Sequence, residues 1–168
     1  MNTLQRTGLF LLTVSIFLFG SFAGARAAQA GQIGDMSDFT LKSSDGKDTQ
    51  LSSLLKTHKA VLVNFWATWC PPCREEIPGL IDIQKKNGSD KFTVLGIDIG
   101  ESAKKVSSFM QKNGMNYPVL LDQDQSVAES YHVVGIPTSY LVSSEGKVLG
   151  EYHGYTPELV SDVQKAIQ

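Results

Sequence analysis

The stretch that most constrains the fold is Ala60-Val61-Leu62-Val63-Asn64-Phe65-Trp66, nearly continuous in apolar side chains. A run this short and this apolar suits a strand covered on both faces, as the strands of a parallel sheet are. It leads into Cys70-Pro71-Pro72-Cys73 and a segment over residues 71–87 that reads as a helix, with proline at its first positions and Gly88 as its stop. Pro78 falls inside that helix and removes one backbone donor, so a kink is expected there. Residues three apart on a helix share a face, separated by about 60° around the axis. The only two cysteines of the chain therefore lie side by side at a strand-to-helix junction. Two thiols held this way can form and break a disulfide without moving the rest of the fold.

The remaining elements arrange themselves around this unit. Phe39-Thr40-Leu41, a turn over Ser43-Ser44-Asp45-Gly46-Lys47 and a return over residues 48–51 read as a hairpin. Ser52 or Ser53 is expected to cap a short helical turn through Leu54 and Leu55. Residues 92–99 form a second buried strand, and residues 103–113 a helix with Val106, Phe109 and Met110 on one face. A strand over 117–121, a brief helix over 126–131, a strand opening at Gly135 and running to Val142, and its hairpin partner over 148–152 follow. Thr156 and Pro157 start the last helix, with Leu159, Val160, Val163 and Ile167 inward. The order describes an α/β domain with a mixed central sheet, helices on both faces, an N-terminal β-hairpin and a central αβ insertion.

The first thirty residues stand apart. Arg6 precedes an apolar stretch over residues 9–23, and Ala25-Arg26-Ala27 and Ala28-Gln29-Ala30 are small-x-small sites. This is the pattern of a secretory signal, and the apolar stretch also approaches the length of a retained membrane anchor. Both readings of residues 1–30 place a folded domain of residues 31–168 outside the cytoplasm, in a periplasm-like oxidising compartment. Cleavage after Ala30 would leave 13 basic against 17 acidic side chains, a net charge of −4. No basic run or patch is visible, which argues against nucleic acid as a partner.

In an exported chain two cysteines usually suggest a structural bridge. Closing so short a loop is worth only on the order of 2 kcal/mol on the chain-entropy model, little for a domain able to build its own core. Redox chemistry is the better reading. Cys70 sits just before the helix, where unpaired donors and the dipole favour a thiolate, so it is the expected nucleophile. Cys73, one turn inside, is placed to resolve a mixed disulfide by attacking the Cys70 sulfur. Pro71 and Pro72 lack backbone N–H groups, so the thiolate should be only moderately stabilised and the dithiol a good reductant. Glu76 borders Cys73 on the helix face and can take its proton; Glu75 reads as an exposed charge. One Cys-x-x-Cys supplies two of the four ligands of a structural zinc, and His58, His132 and His153 are scattered, so no metal or other cofactor is expected.

Phe65-Trp66-Ala67-Thr68-Trp69-Cys70-Pro71-Pro72-Cys73-Arg74-Glu75-Glu76-Ile77-Pro78 resembles the active site of the thioredoxin-like TlpA/ResA family of extracytoplasmic thiol–disulfide oxidoreductases. Asp38-Phe39-Thr40-Leu41 and Gly135-Ile136-Pro137-Thr138 resemble its flanking segments. The resemblance implies a thioredoxin-like fold and a cis Pro137 lying against the cysteine pair. It also implies a substrate surface made by Trp69, Pro71, Pro72, Ile136 and Pro137, with Asn64 standing where thioredoxin carries a buried acid. Protein disulfides such as that of apocytochrome c are the implied substrates, and a membrane thiol reductase the implied electron donor. The competing readings are a thioredoxin-like copper metallochaperone for oxidase assembly and a general periplasmic disulfide exchange protein. A thiol peroxidase would need a peroxidatic cysteine in another context, and the chain has none besides the pair.

Overall fold

The computed structural model describes residues 32–33, 35–88 and 90–168, so the signal or anchor expected over residues 1–30 lies outside the described residues. Strands β1 (Gln32–Ile33) and β2 (Met36–Ser37) form a small antiparallel pair. They are followed by β3 (Thr40–Ser43), β4 (Asp48–Gln50), α1 (Leu51–Leu55), β5 (Ala60–Trp66), α2 (Pro71–Asn87) and β6 (Phe92–Ile99). The chain is completed by α3 (Ala103–Asn113), β7 (Val119–Asp122), α4 (Ser126–Ser130), β8 (Thr138–Ser143), β9 (Val148–Tyr152) and α5 (Pro157–Ala166). The main sheet has seven strands in the order β4-β3-β7-β6-β5-β8-β9. Strands β5, β6 and β7 run parallel, and the pairs β3–β4, β3–β7, β5–β8 and β8–β9 are antiparallel.

Strand β5 sits where the sequence places it, with all seven residues buried. Its side chains alternate between two cores, as the pleat requires. Leu62 and Trp66 join Leu80, Ile83, Val106, Leu159 and Val163 under α2, α3 and α5. Val61, Val63 and Phe65 join Leu51, Leu55, Val127 and Ala128 under α1 and α4. Helices thus cover both faces. The loop 67–70 leaves the C-terminal end of β5, between parallel β6 and antiparallel β8, the kind of position where open α/β sheets place their chemistry.

Several local expectations shift. Neither Ser52 nor Ser53 caps α1. The helix begins directly from β4 with Gln50 at its N-cap, and the first-turn amide of Ser52 donates instead to Asp38 Oδ1 at 3.0 Å. Strand β7 starts at Val119 rather than at Tyr117, because Pro118 has no N–H for the ladder, although its carbonyl accepts from Gly96 N at 2.9 Å. Strand β8 opens at Thr138, after the bend around Pro137. Helix α2 runs unbroken through Pro78 to Asn87. Gly88 ends it with φ −65° and ψ 117°, so left-handed freedom is not what the site uses. A Cβ there would lie 2.3 Å from the Gln84 carbonyl oxygen, so glycine is needed for space.

Candidate active site around the cysteine pair

Cys70 is the N-cap residue of α2, with extended backbone angles, and a disulfide joins it to Cys73 across a Cα–Cα distance of 5.3 Å. The amide of Cys73 points at the Cys70 sulfur at 3.2 Å. Pro71 and Pro72 occupy the positions between and contribute no N–H, so the Cys73 amide is the first-turn donor left for that sulfur. Cys73 is fully buried and Cys70 nearly so, while Trp69 is 60% exposed and Pro71 and Pro72 are also exposed. The Ile136–Pro137 peptide bond is cis, as the resemblance implies, and Pro137 is buried. The Ile136 carbonyl oxygen lies 3.6 Å from the Cys70 sulfur, a contact that the reduced thiol can turn into a hydrogen bond. Trp69, Ile99, Ala128, Val133, Val134 and Ile136 line a shallow cleft of about 200 Å³ beside the pair. Val134 is fully exposed at its rim.

Glu76, one turn beyond Cys73, is 4% exposed. Its Oε1 accepts from Asn64 Nδ2 at 2.7 Å, and the same nitrogen donates to Ser139 Oγ at 2.9 Å. Burial pushes the carboxyl up to about 7, against the opposing pull of the Asn64 hydrogen bond. A group with that value can both accept and return a proton near neutrality. Glu75 is exposed, as read from the sequence.

Above Glu76 the core contains polar atoms that find no donor or acceptor: Glu76 Oε2, Tyr117 Oη and Trp66 Nε1. Burial, and then the neighbouring Glu76, push the Tyr117 phenol far up, so it stays protonated and can only donate to that carboxylate. Gly96 makes the space for these rings. A Cβ on it would lie 3.0 Å from Trp66 Nε1 and 3.1 Å from Val119 Cγ2, both on buried side chains. Gly96→Ala is therefore expected to cost about 1–3 kcal/mol, the usual penalty of overpacking a filled core. A guanidinium unfolding curve measures it, and an unchanged midpoint would mean that Trp66 has room to move.

An acidic pair, Asp98 and Glu101, holds the loop before Cys70. Thr68 donates to Glu101 twice, from its amide to Oε2 at 2.6 Å and from its hydroxyl to Oε1 at 2.8 Å. Glu101 is ion-paired with Lys105 at 2.5 Å, and its amide donates to Asp98 Oδ1 at 3.2 Å. Asp98 is fully buried. Sequence reasoning did not single out Thr68, Asp98, Glu101 or Tyr117. The one available signal was a pair of acids at the end of a strand predicted to be buried. The three histidines do not gather: His58 bonds locally to the Leu54 carbonyl, His132 is exposed, and His153 lies 3.2 Å from Thr138 Oγ1. Among the described residues no cluster of three or more His, Cys, Asp or Glu is placed to hold a metal ion.

The comparisons with known proteins agree with this geometry. A model of the AhpC/TSA family matches residues 33–150. The thiol–disulfide oxidoreductase ResA of Bacillus subtilis (strain 168) is 34% identical over 97% of this chain and 92% of its own. The sporulation thiol–disulfide oxidoreductase A of the same organism is 31% identical over 82% of this chain and 86% of its own. Among solved structures, a thioredoxin-family thiol:disulfide interchange protein from Chlorobium tepidum TLS superposes with a TM-score of 0.70 at 32% identity. That match covers 82% of this chain and 99% of the other. With its cysteines paired at the mouth of a thioredoxin fold, the chain belongs to the AhpC/TSA family and, within it, to the ResA-like thiol–disulfide oxidoreductases.

Proposed function

We propose that the protein works outside the cytoplasm, in the periplasm, as a reductant of protein disulfides, with Cys70 attacking, Cys73 resolving and Glu76 handling the resolving proton. The observation that carries this reading is the placement of the cysteine pair between a helix N-terminus and a buried carboxyl that titrates near neutrality. In the reduced protein the Cys70 thiolate attacks one sulfur of the substrate disulfide, forming a mixed disulfide and expelling the other sulfur as thiolate. Glu76 takes the Cys73 proton. The Cys73 thiolate then attacks the Cys70 sulfur, the mixed disulfide breaks, and the substrate leaves with both of its sulfurs reduced. Two electrons pass from the protein pair to the substrate, and a thiol donor must restore them.

Trp69, Pro71, Pro72, Ile136 and Pro137 form the docking rim in this reading: the first three flank Cys70 in the chain, the Ile136 carbonyl lies 3.6 Å from its sulfur, and the exposed ones are apolar. Pro137 cannot donate a backbone hydrogen bond, which leaves the Ile136 backbone to pair with an extended substrate strand. The apolar residues 9–23 support export, by a cleaved signal or a retained anchor. A disulfide within a Cys-x-x-Cys-His segment, as in apocytochrome c, suits a shallow, mainly apolar cleft that Gln125 and Glu129 also line, with a membrane thiol reductase as the electron donor.

The direction of the chemistry follows from Pro71 and Pro72. With those two donors missing, the Cys70 thiolate gains less from the helix terminus than it otherwise would, so the disulfide is favoured. The reduction potential, measured against a glutathione or dithiothreitol buffer, is expected nearer to thioredoxin's value of about −270 mV than to DsbA's of about −120 mV. A value at the oxidising end would overturn the reductant assignment. In a parallel assay, an oxidised Cys-x-x-Cys-His peptide should be reduced faster than glutathione disulfide. Equal rates would favour a general exchange protein, and sub-micromolar copper binding by the reduced pair would favour a metallochaperone.

A further inference from the structure

Asp98 is the penultimate residue of β6, and its fully buried carboxyl faces a second acid. Its Oδ1 accepts the Glu101 amide at 3.2 Å, but Oδ2 finds no N–H or O–H donor. The neighbouring side chain that raises Asp98 is the Glu101 carboxyl, both as a facing acceptor and through its charge. Two carboxylates in that position would be acceptor against acceptor in a dry site. A proton between them turns one acid into a donor and removes both the repulsion and the unsatisfied oxygen. The other charges facing the pair are few. Lys105 from α3 reaches Glu101 at 2.5 Å. In register with Asp98, β5 and β7 contribute Trp66 and Leu121. Asp122, the nearby acid on β7, spends its carboxyl on the Val127 and Ala128 amides of α4.

We propose that Asp98 is a positioning residue for thiol–disulfide exchange: it shares one proton with Glu101, and that proton fixes Thr68 and the loop that delivers Cys70. The chain of contacts runs Asp98, Glu101, Thr68, and two residues later Cys70. Glu101 spends both oxygens on Thr68 and one of them also on Lys105. Burial works to raise the Glu101 carboxyl, but Lys105 and the two Thr68 donors outweigh it and hold it below its ordinary value. Burial and the adjacent Glu101 push Asp98 up to about 8, so the shared proton resides on Asp98. Once that proton is lost, two buried carboxylates repel each other across the site. Glu101 is the one that can give way, and its departure strips both partners from Thr68.

The inference rests on Cys70 being the reacting sulfur, and the experiment separates the two claims. Oxidised full-length protein is reduced with dithiothreitol from pH 6 to 9.5, with each rate divided by the dithiothreitol thiolate concentration. The Thr68 amide resonance is followed over the same range in the oxidised protein, where no protein thiol titrates. The wild type should show a transition centred near pH 8 in both readouts, with the normalised rate falling several-fold above it. Asp98→Asn keeps the size and a donor toward Glu101 but has no proton to lose. It should abolish that transition while leaving any transition near pH 7 that comes from Glu76. A wild-type Thr68 amide that does not move between pH 7 and 9.5, or an identical transition in Asp98→Asn, would overturn the proposal. The wild-type titration decides the matter even if the variant does not fold. Failure of the oxidised protein to react with dithiothreitol at any pH would instead sink the role of Cys70.

Discussion

Cys73→Ser is expected to accumulate a covalent adduct with a disulfide substrate through Cys70, whereas Cys70→Ser forms none and loses exchange activity to the uncatalysed level. The reason lies in the asymmetry of the site. The Cys70 sulfur caps α2, receives the Cys73 amide at 3.2 Å and borders the exposed Trp69 and Pro72. Cys73 is fully sealed beneath it. The small exposed area of the pair belongs to Cys70, so a substrate sulfur is expected to reach the first and not the second. Once Cys70 is linked to substrate, only Cys73 is placed to attack the Cys70 sulfur, and serine lacks a usable nucleophile because its hydroxyl is not ionised near neutrality. Non-reducing gel electrophoresis and intact mass spectrometry read the adduct directly. If Cys70→Ser traps substrate as well as Cys73→Ser does, the order of attack is wrong.

The second large effect concerns pH and Glu76. An ordinary glutamate has a value near 4.5, and burial in the folded protein moves this one to about 7. Between those values the folded state holds a proton that the unfolded state has released. Stability is therefore fully present below about pH 4.5 and is lost as pH rises through 7. The shift corresponds to about 3 kcal/mol at most. Glu76→Gln cannot titrate, so the difference between wild type and variant should change by up to that amount between pH 4 and pH 8.5, in favour of the variant at the higher pH. Any contribution from Asp98 is common to both proteins and cancels in the comparison. Urea unfolding of the oxidised forms at the two pH values tests this, and a pH-independent difference would mean that burial leaves the Glu76 carboxyl at its ordinary value. In the reduced protein the same substitution should alter the titration of the Cys73 thiol, because the nearby acceptor for its proton is gone.

What could be read from the residues alone follows how local each signal is. The bounds of β5, α2, β6, α3 and β9 came through because apolar runs, prolines at the first helical positions and terminal glycines act within a few residues of themselves. That Glu76 lies one helical turn from Cys73, on the buried side of α2, was legible for the same reason. Asp38 was not: it caps α1 from across a hairpin, while Ser52 and Ser53 look like the natural caps and go unused for that purpose. Asp98 and Glu101 read as ordinary strand-end acids until the fold brings Thr68, thirty-three positions away from Glu101, onto them. Tyr117 looks like the start of a strand, and only packing against Gly96 and Glu76 shows its hydroxyl turned inward without a partner. Contacts over such separations depend on topology, which local pattern does not specify.

The seven-residue strand β5 also sets the order in which the molecule comes apart. It pairs over its whole length with β6 and over six positions with β8, and every one of its residues is buried. The hairpin β3–β4 is attached to the sheet through only two positions of β7. Amide exchange should therefore be fastest in the hairpin and slowest in β5 and its two partners, where opening requires global unfolding. The cysteine loop grows directly from the end of the slowest strand. Partial openings at the periphery would leave the sulfur geometry in place, so the protein could flex at its margins through many catalytic cycles without exposing or scrambling its disulfide.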